Sequence, residues 1–332
     1  MPNNKSHHFV PKFYLKYFST DPDLATINLF NIRRGRIIKN ASLRDQCAHD
    51  YFYGKDGKTE SKLGTLEGAA AKTIEAIQVS RRLPRILGPD HFNLFIFTYT
   101  QYIRTTQAVD KMQDLASTMA KHLLSKQFPQ DVLDKFSVRI KNGPAYFLEQ
   151  GQRYFTLLLD LDSRLLVAAP GTEFLISDNP VVFYNQLMEF SELGSHSGAT
   201  SRGLQIFFPL GPTLMLMLFD PSVYVVGDKR DRVYHLKEAA DTLALNSLQF
   251  VSAQQNVYFA TGRSDVFRAF EAGKPFRRSK LNQFATGPEV EQADGMVSQF
   301  IAFRGVDIKA GLVLTFVRLM KPAKGERPGK PP

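Results

Sequence analysis

The feature that most constrains the fold is a change of hydrophobic period at Ala169-Pro170-Gly171. Before this point, apolar residues recur every three or four positions, as on one face of a helix. After it, they form short runs bounded by turn residues, as in strands. A chain with a helical region followed by a strand region is typical of an α+β protein rather than of alternating βαβ units. We therefore predict an α+β fold.

The N-terminal region is predicted to hold a short helix and a hairpin. Pro11 suits a first helical position, so residues 7–18 predict a helix with its aromatic side chains on one side. Residues 26–38 predict a β-hairpin, because two apolar runs flank the turn Arg33-Arg34-Gly35.

The rest of the chain is predicted as a central helical region followed by a mainly antiparallel sheet with flanking helices. The first helix covers residues 60–79, and a long second helix runs from Asp90 to about residue 126. Residues 1–320 predict a single large domain, with a subdomain boundary near residue 165 as the alternative. Residues 321–332 are rich in Pro, Gly and Lys and predict a basic disordered tail.

Composition narrows the classes of function. The chain carries 42 Lys and Arg against 32 Asp and Glu, a net charge of +10, which favours contact with nucleic acid or other anions. A basic surface without a partner is the alternative. The single cysteine excludes an intrachain disulfide framework. Neither a membrane span nor an apolar N-terminal signal is visible, so we expect a soluble cytoplasmic protein. The sequence does not indicate an oligomeric state.

Two predicted helices carry polar residues inside apolar stripes. Gln101 and Arg104 interrupt the stripe of the second helix, and Glu67 is the charged residue of the first. Helices joined by a short break usually pack together, so Glu67 and Arg104 are predicted to meet. They are either a buried structural ion pair or a site in which Glu67 acts on a substrate held by Arg104 and Gln101. The longer stripe consists of Leu94, Phe97, Gln101, Arg104, Ala108, Met112, Leu115, Met119 and Leu123.

Two further motifs place polar groups at unusual positions. If a helix starts at Pro11, the imidazoles of His7 and His8 lie beside its exposed N–H groups, where anions bind and a neutral histidine is favoured. A solvated pair on a frayed terminus is the alternative. Asp178 and Asn179 interrupt an apolar segment just before Pro180. They predict either an Asx turn, in which Asp178 binds backbone amides, or a loop that presents both side chains to a pocket.

These motifs together resemble the bacterial family known as domain of unknown function 4238. The resemblance covers roughly residues 7–260 and departs from the family pattern at Thr106, where a proline is expected. It implies that the seven polar residues form one site. It also implies a link to anti-phage defence, with which some members of the family are associated. The matching segments are His7 to Phe18, Asp50 to Tyr53, Leu66-Glu67, Gln101 with Arg104 and Thr105, Ser177 to Pro180, Pro209-Leu210 and Asn246.

We therefore expect a defence effector that cleaves or modifies nucleic acid. His7 or His8 would be a general acid or base, Glu67 and Asp178 would be bases or metal ligands, and Arg104 would stabilise charge on phosphate. A divalent metal ion is the one cofactor that this set suggests. The alternative is a non-catalytic sensor whose polar pocket holds a phage component or a nucleotide. A third interpretation is purely structural.

Overall fold

The structure is a computed structural model and describes residues 5–191, 196–228, 231–278, 280–291 and 297–320. It confirms the α+β prediction, because a helical region is followed by mainly antiparallel sheets with flanking helices. The predicted basic tail lies outside the described residues. Within them, no helix is both long enough and apolar enough to cross a membrane.

The N-terminal region begins with a strand, so the predicted helix over residues 7–18 is wrong at its start. His7 pairs with His49, and His8 pairs with Ala48, in a short antiparallel ladder. The helix begins only after Pro11, because a residue that precedes proline disfavours the helical conformation. The imidazoles therefore do not lie beside helix N–H groups. The predicted hairpin is confirmed, and the elements of this region are β1 (Ser6–His8), α1 (Lys12–Leu15), β2 (Thr26–Asn31), β3 (Arg36–Ser42) and β4 (Ala48–Asp50).

The helical region contains the predicted first helix, but the long second helix is wrong. Thr105 takes an extended conformation, with φ −73° and ψ 158°, and divides the predicted span into two helices. Its hydroxyl caps the second of them by accepting a hydrogen bond from the backbone N–H of Ala108 at 3.3 Å. The helices are α2 (Lys58–Ser80), α3 (Pro89–Ile103), α4 (Thr106–Leu124), α5 (Gln130–Leu133) and α6 (Gly143–Gln152).

The C-terminal part holds two larger sheets. One has the strand order β11-β5-β9-β8-β7, and its β11–β5 pair is parallel while the others are antiparallel. The elements are β5 (Asp162–Val167), β6 (Ile176–Ser177), β7 (Val182–Tyr184), β8 (Gln205–Gly211), β9 (Leu214–Phe219), β10 (Tyr224–Val226), β11 (Val233–His235), α7 (Ala239–Ser252), β12 (Asn256–Phe259), α8 (Arg263–Gly273), β13 (Asn282–Glu291), β14 (Val297–Gly305) and β15 (Val317–Leu319).

Strand β9 explains why the middle of this sheet reads as a continuous apolar run. Leu214, Leu216 and Leu218 pack into a core cluster that includes residues of α2 and α3. Met215 and Met217 pack into a second cluster on the opposite face, which includes residues of α7. Since both faces are covered, every residue of β9 is buried, and the strand lacks the alternation of a half-exposed strand.

The second larger sheet, with the order β3-β2-β12-β6, joins the N-terminal hairpin to strands of the C-terminal part. Phe30 in the N-terminal hairpin pairs with Val257 of β12. The first core cluster likewise contains residues from Phe9 to Tyr258. Residue 165, the position of the alternative subdomain boundary, lies inside strand β5. The helical region and the sheet region therefore share one hydrophobic core.

Candidate functional site

Arg104 occupies the break between α3 and α4 and is 1% exposed. Its Nη1 donates to Glu67 Oε1 at 2.7 Å, and its Nη2 donates to the backbone oxygen of His8 at 2.6 Å. Its Nε lies 3.2 Å from the hydroxyl of Tyr53. Burial opposes the charge, but Tyr53 and Glu67 outweigh it and raise the pKa of Arg104. The predicted contact of Glu67 with Arg104 is therefore confirmed, and the arginine stays protonated.

Gln101 lies one helical turn before Arg104 and is fully buried. Its Nε2 donates to the backbone oxygen of Phe9 at 2.9 Å. Its Oε1 is buried and finds no hydrogen-bond partner among the described residues. Gln101 and Arg104 thus bind consecutive carbonyl groups of the segment that follows His7, so α3 fixes the position of β1.

The two histidines are buried, and each ring contacts the backbone of a neighbouring segment. Nδ1 of His7 accepts a hydrogen bond from the N–H of Tyr53 at 3.2 Å, and the two rings stack with centroids 6.0 Å apart. Nε2 of His8 lies 3.0 Å from the carbonyl oxygen of Arg44 and must carry the proton of that bond. Burial, and then the charge of Lys12, lower the pKa of His8 to about 4. His8 is consequently neutral near pH 7.

Asp178 binds backbone amides, but those of a distant segment rather than of its own turn. Its carboxylate accepts hydrogen bonds from the N–H groups of Gln254, Gln255 and Asn256 at 2.8, 2.6 and 3.0 Å. Burial raises the pKa of Asp178, and the three N–H donors oppose that rise. The carboxylate therefore anchors the chain between α7 and β12.

Asn179 is buried beside the α3–α4 break and uses both ends of its amide. Its Oδ1 accepts from the hydroxyl of Thr105 at 2.8 Å. Its Nδ2 donates to Gln107 Oε1 and to Ser252 Oγ, each at 2.7 Å. Asn179 thus links the start of α4 to the end of α7.

The predicted residues form one connected network, which we call the polar junction. Arg104 joins Glu67 to the β1 segment by hydrogen bonds. The next residue, Thr105, donates a hydrogen bond to Asn179, which directly follows Asp178 in the chain. Most of these groups bind one another or the backbone rather than facing a single open pocket. The polar junction consists of His7, His8, Tyr53, Glu67, Gln101, Arg104, Thr105, Asp178 and Asn179.

Glu60 is a site candidate that sequence reasoning missed. Its Oε2 is buried and has no hydrogen-bond partner among the residues that the structure describes. Burial and the nearby charge of Glu67 raise the pKa of Glu60, while His7 and Arg104 oppose the rise. Glu60 precedes Glu67 by seven residues, two helical turns, and this spacing was the available signal that both share one face of α2.

A groove of about 780 Å³, which we call the lysine groove, borders the polar junction on the side of α2. Tyr53 lines this groove and also contacts Arg104, so it belongs to both features. Lys62 lies 4.0 Å from Glu149 across the groove, and the ammonium of Lys55 lies 5.3 Å from the ring centre of Tyr51. The charged and aromatic side chains that line it are Lys55, Lys58, Lys62, Lys141, Asp56, Glu149, Tyr51, Tyr53 and Tyr146.

The described part of the chain contains no group of three or more His, Cys, Asp or Glu residues arranged to hold a metal ion. The divalent metal suggested by the sequence stays a prediction.

Comparison with known proteins gives a family for the chain. The model of the family described as "Protein of unknown function (DUF4238)" matches residues 6–263. The chain belongs to this family, which confirms the resemblance found in the sequence. No curated protein and no solved structure matches the chain.

Proposed function

We propose that the protein is a bacterial defence effector that binds nucleic acid in the lysine groove and acts on its phosphodiester backbone. The observation that carries the proposal is the groove itself, where four lysines and three tyrosines lie next to the polar junction. Lysines that follow a phosphate backbone, together with aromatic rings on which bases stack, are the usual means of binding single strands. The net charge of +10 supports the same partner.

Glu60 and His7 are the proposed acid–base pair. Because its pKa is raised, Glu60 can hold a proton closer to neutral pH than an ordinary carboxyl group can. In the proposed reaction, one group of the pair takes the proton of the attacking hydroxyl as the new P–O bond forms. The other donates a proton to the oxygen that leaves phosphorus. Arg104 is a positioning residue here, since its donors already bind Glu67, Tyr53 and a backbone carbonyl.

The test is incubation of the protein with RNA and DNA oligonucleotides, with and without EDTA. We expect wild-type protein to bind and to cleave, and Glu60→Gln to keep binding while the cleavage rate falls by roughly 100-fold or more. Replacing Lys58 and Lys62 with Ala should weaken binding and flatten its salt dependence. Lys72→Ala is the matched control, since Lys72 lies on α2 outside the groove. Absence of binding to every oligonucleotide, or unchanged binding by the double variant, would contradict the proposal.

A non-catalytic sensor is the second candidate function. It is favoured by Arg104, Asp178 and Asn179, whose polar groups bind other parts of the protein. In that case the groove holds a nucleic-acid end, a nucleotide or a phage component without turnover. Binding without cleavage in the same assay, unchanged in Glu60→Gln and Glu67→Gln, would assign the protein to this class.

A further inference from the structure

A second cavity, of about 680 Å³, lies between α4, α6 and β7, and Tyr146 is the one lining residue that it shares with the lysine groove. Its volume is within the range of about 300–1,000 Å³ that small-molecule sites occupy. Tyr102 and Phe183 stack in its wall with ring centroids 3.8 Å apart. Helix α4 contributes flexible methionines, which adapt to ligands of different shape. Representative lining residues are Tyr99, Tyr102, Met112, Met119, Tyr154 and Phe183.

Two cations line this otherwise largely apolar cavity. The ammonium group of Lys111 makes no hydrogen bond or ion pair with the residues that the structure describes. Nη1 of Arg278 donates to the carbonyl oxygen of Val306, whereas Nε of Arg278 is buried without a partner in the described chain. Burial, and then the charge of Arg278, lower the pKa of Lys111. Two cations with unused donors in one cavity are costly to bury unless an anion joins them.

Among the residues that the structure describes, one carboxylate acts on both cations. Asp307 interacts electrostatically with Lys111 and with Arg278. It also accepts hydrogen bonds from the backbone N–H groups of His196 and Ser197, at 2.6 and 3.2 Å, and from the hydroxyl of Ser197. One negative charge therefore faces two positive charges, and the cavity retains a net positive end.

The amide side chains of the lining already bind within the protein. Asn179 donates to Gln107 and to Ser252, and Gln107 donates to the backbone oxygen of Ser252. Gln150 accepts a hydrogen bond from Arg153. Because these amides already make hydrogen bonds within the protein, they are poorly placed to hydrogen-bond the polar edge of a nucleobase. The cavity is suited to a ligand that is polar at one end and apolar along its length.

We propose that this cavity binds a small amphipathic anion, whose carboxylate or phosphate head contacts Lys111 and Arg278 and whose apolar body fills the space between α4 and α6. The inference is independent of the proposed action on nucleic acid, because the lysine groove and this cavity are lined by different cations.

The test is isothermal titration calorimetry of the full chain with four probes below their micelle concentrations. Dodecanoate and dodecyl phosphate should both bind, and the ratio of their dissociation constants shows whether the site prefers a carboxylate or a phosphate head. Dodecanol, which has the same chain and no charge, should bind at least about tenfold more weakly. Adenosine monophosphate should not compete. Failure of both anions to bind, equal binding of dodecanol, or tighter binding of the nucleotide would each overturn the proposal.

Variants locate the site. Lys111→Met and Arg278→Gln should each weaken binding of dodecanoate by about tenfold or more without affecting binding to oligonucleotides. Ala116→Phe should abolish binding of both anions by filling the cavity, which Ala116 lines. Lys72→Met, outside the cavity, is the matched control. Unchanged affinity in both cation variants would overturn the inference, and thermal melts of each variant confirm that a loss is not caused by unfolding.

Discussion

Two arginines of this protein are held in opposite ways. Arg104 in the polar junction is 1% exposed and binds a carboxylate, a hydroxyl and a carbonyl group. Arg278 in the cavity binds one carbonyl group, leaves its Nε without a partner among the described residues, and faces the like charge of Lys111. The first arrangement is complete within the protein and holds three segments together. The second has one carboxylate, that of Asp307, near two cations, and an anionic ligand of the kind proposed would balance the remaining charge.

The largest effect is expected from Arg104→Met. It removes the partner of Glu67 and a donor to the carbonyl of His8, and it should lower the free energy of unfolding by about 3–5 kcal/mol. Urea denaturation measures the change. Arg278→Gln is the matched variant in the cavity and should cost less than about 1 kcal/mol. Equal losses of unfolding free energy in the two variants would show that the two arginines stabilise the fold to the same extent, which contradicts the comparison.

The second effect is a dependence of stability on pH through His8. Its pKa in the folded protein is about 4, below the ordinary value of 6.5, so the unfolded chain binds the proton first as the pH falls. Neutral, buried His8 therefore makes its full contribution to the free energy of unfolding above pH 6.5. This contribution decreases by about 3 kcal/mol as the pH falls to 4.

The variant His8→Gln isolates the pH dependence that arises from His8. Its amide can still donate a hydrogen bond to the carbonyl of Arg44, but it does not titrate. Unfolding free energies of wild type and variant are compared between pH 7 and pH 4. The difference should shift in favour of the variant as the pH falls. A constant difference across that range would show that His8 does not titrate as a buried group.

A smaller effect is expected from Thr105→Val at the break between α3 and α4. The substitution removes the cap of α4 and the hydrogen bond to Asn179, and it should cost about 1–2 kcal/mol. Thr118→Val on the same helix is the control, because Thr118 is not a cap. Chemical denaturation of both variants measures the difference. If they are equally stable, the polar junction does not depend on this break.

The smallest effect on stability is expected from Lys111→Met. The substitution removes a partly buried charge that is repelled by Arg278, so the unfolding free energy should stay within about 0.5 kcal/mol or rise. Thermal and urea unfolding without ligand measure it. A loss above about 2 kcal/mol would mean that Lys111 stabilises the fold itself, as Arg104 does.

The sequence alone was sufficient to predict those parts of the structure that depend on local hydrophobic periodicity. The stripes of the two predicted helices placed Glu67 and Arg104 on faces that meet, and the structure shows them 2.7 Å apart. The change of period near Pro170 likewise separated helices from strands. Both signals arise from residues within a few turns of one another, so a single sequence carries them.

The sequence alone was insufficient to predict the local conformation where contacts with a distant segment determine it. The break at Thr105 lacks a proline and is accompanied by a hydrogen bond to Asn179, 74 residues away. The strand at His7 exists because residues 48–50 pair with it. Asp178 binds amides more than 70 residues later in the chain. None of these partners can be identified from the residues beside the motif.

The pairing of β2 with β12 has a consequence for synthesis on the ribosome. Asn31 and Asn256, which are joined side chain to side chain, are separated by 225 positions. At about 5–20 residues per second, β2 waits roughly 10–45 s for its second neighbour. During that time one edge of the hairpin is open to pairing with other chains. The segment that finally closes the edge also carries the N–H groups that bind Asp178, so the sheet and the anchor of the polar junction are completed by the same late stretch of nascent chain.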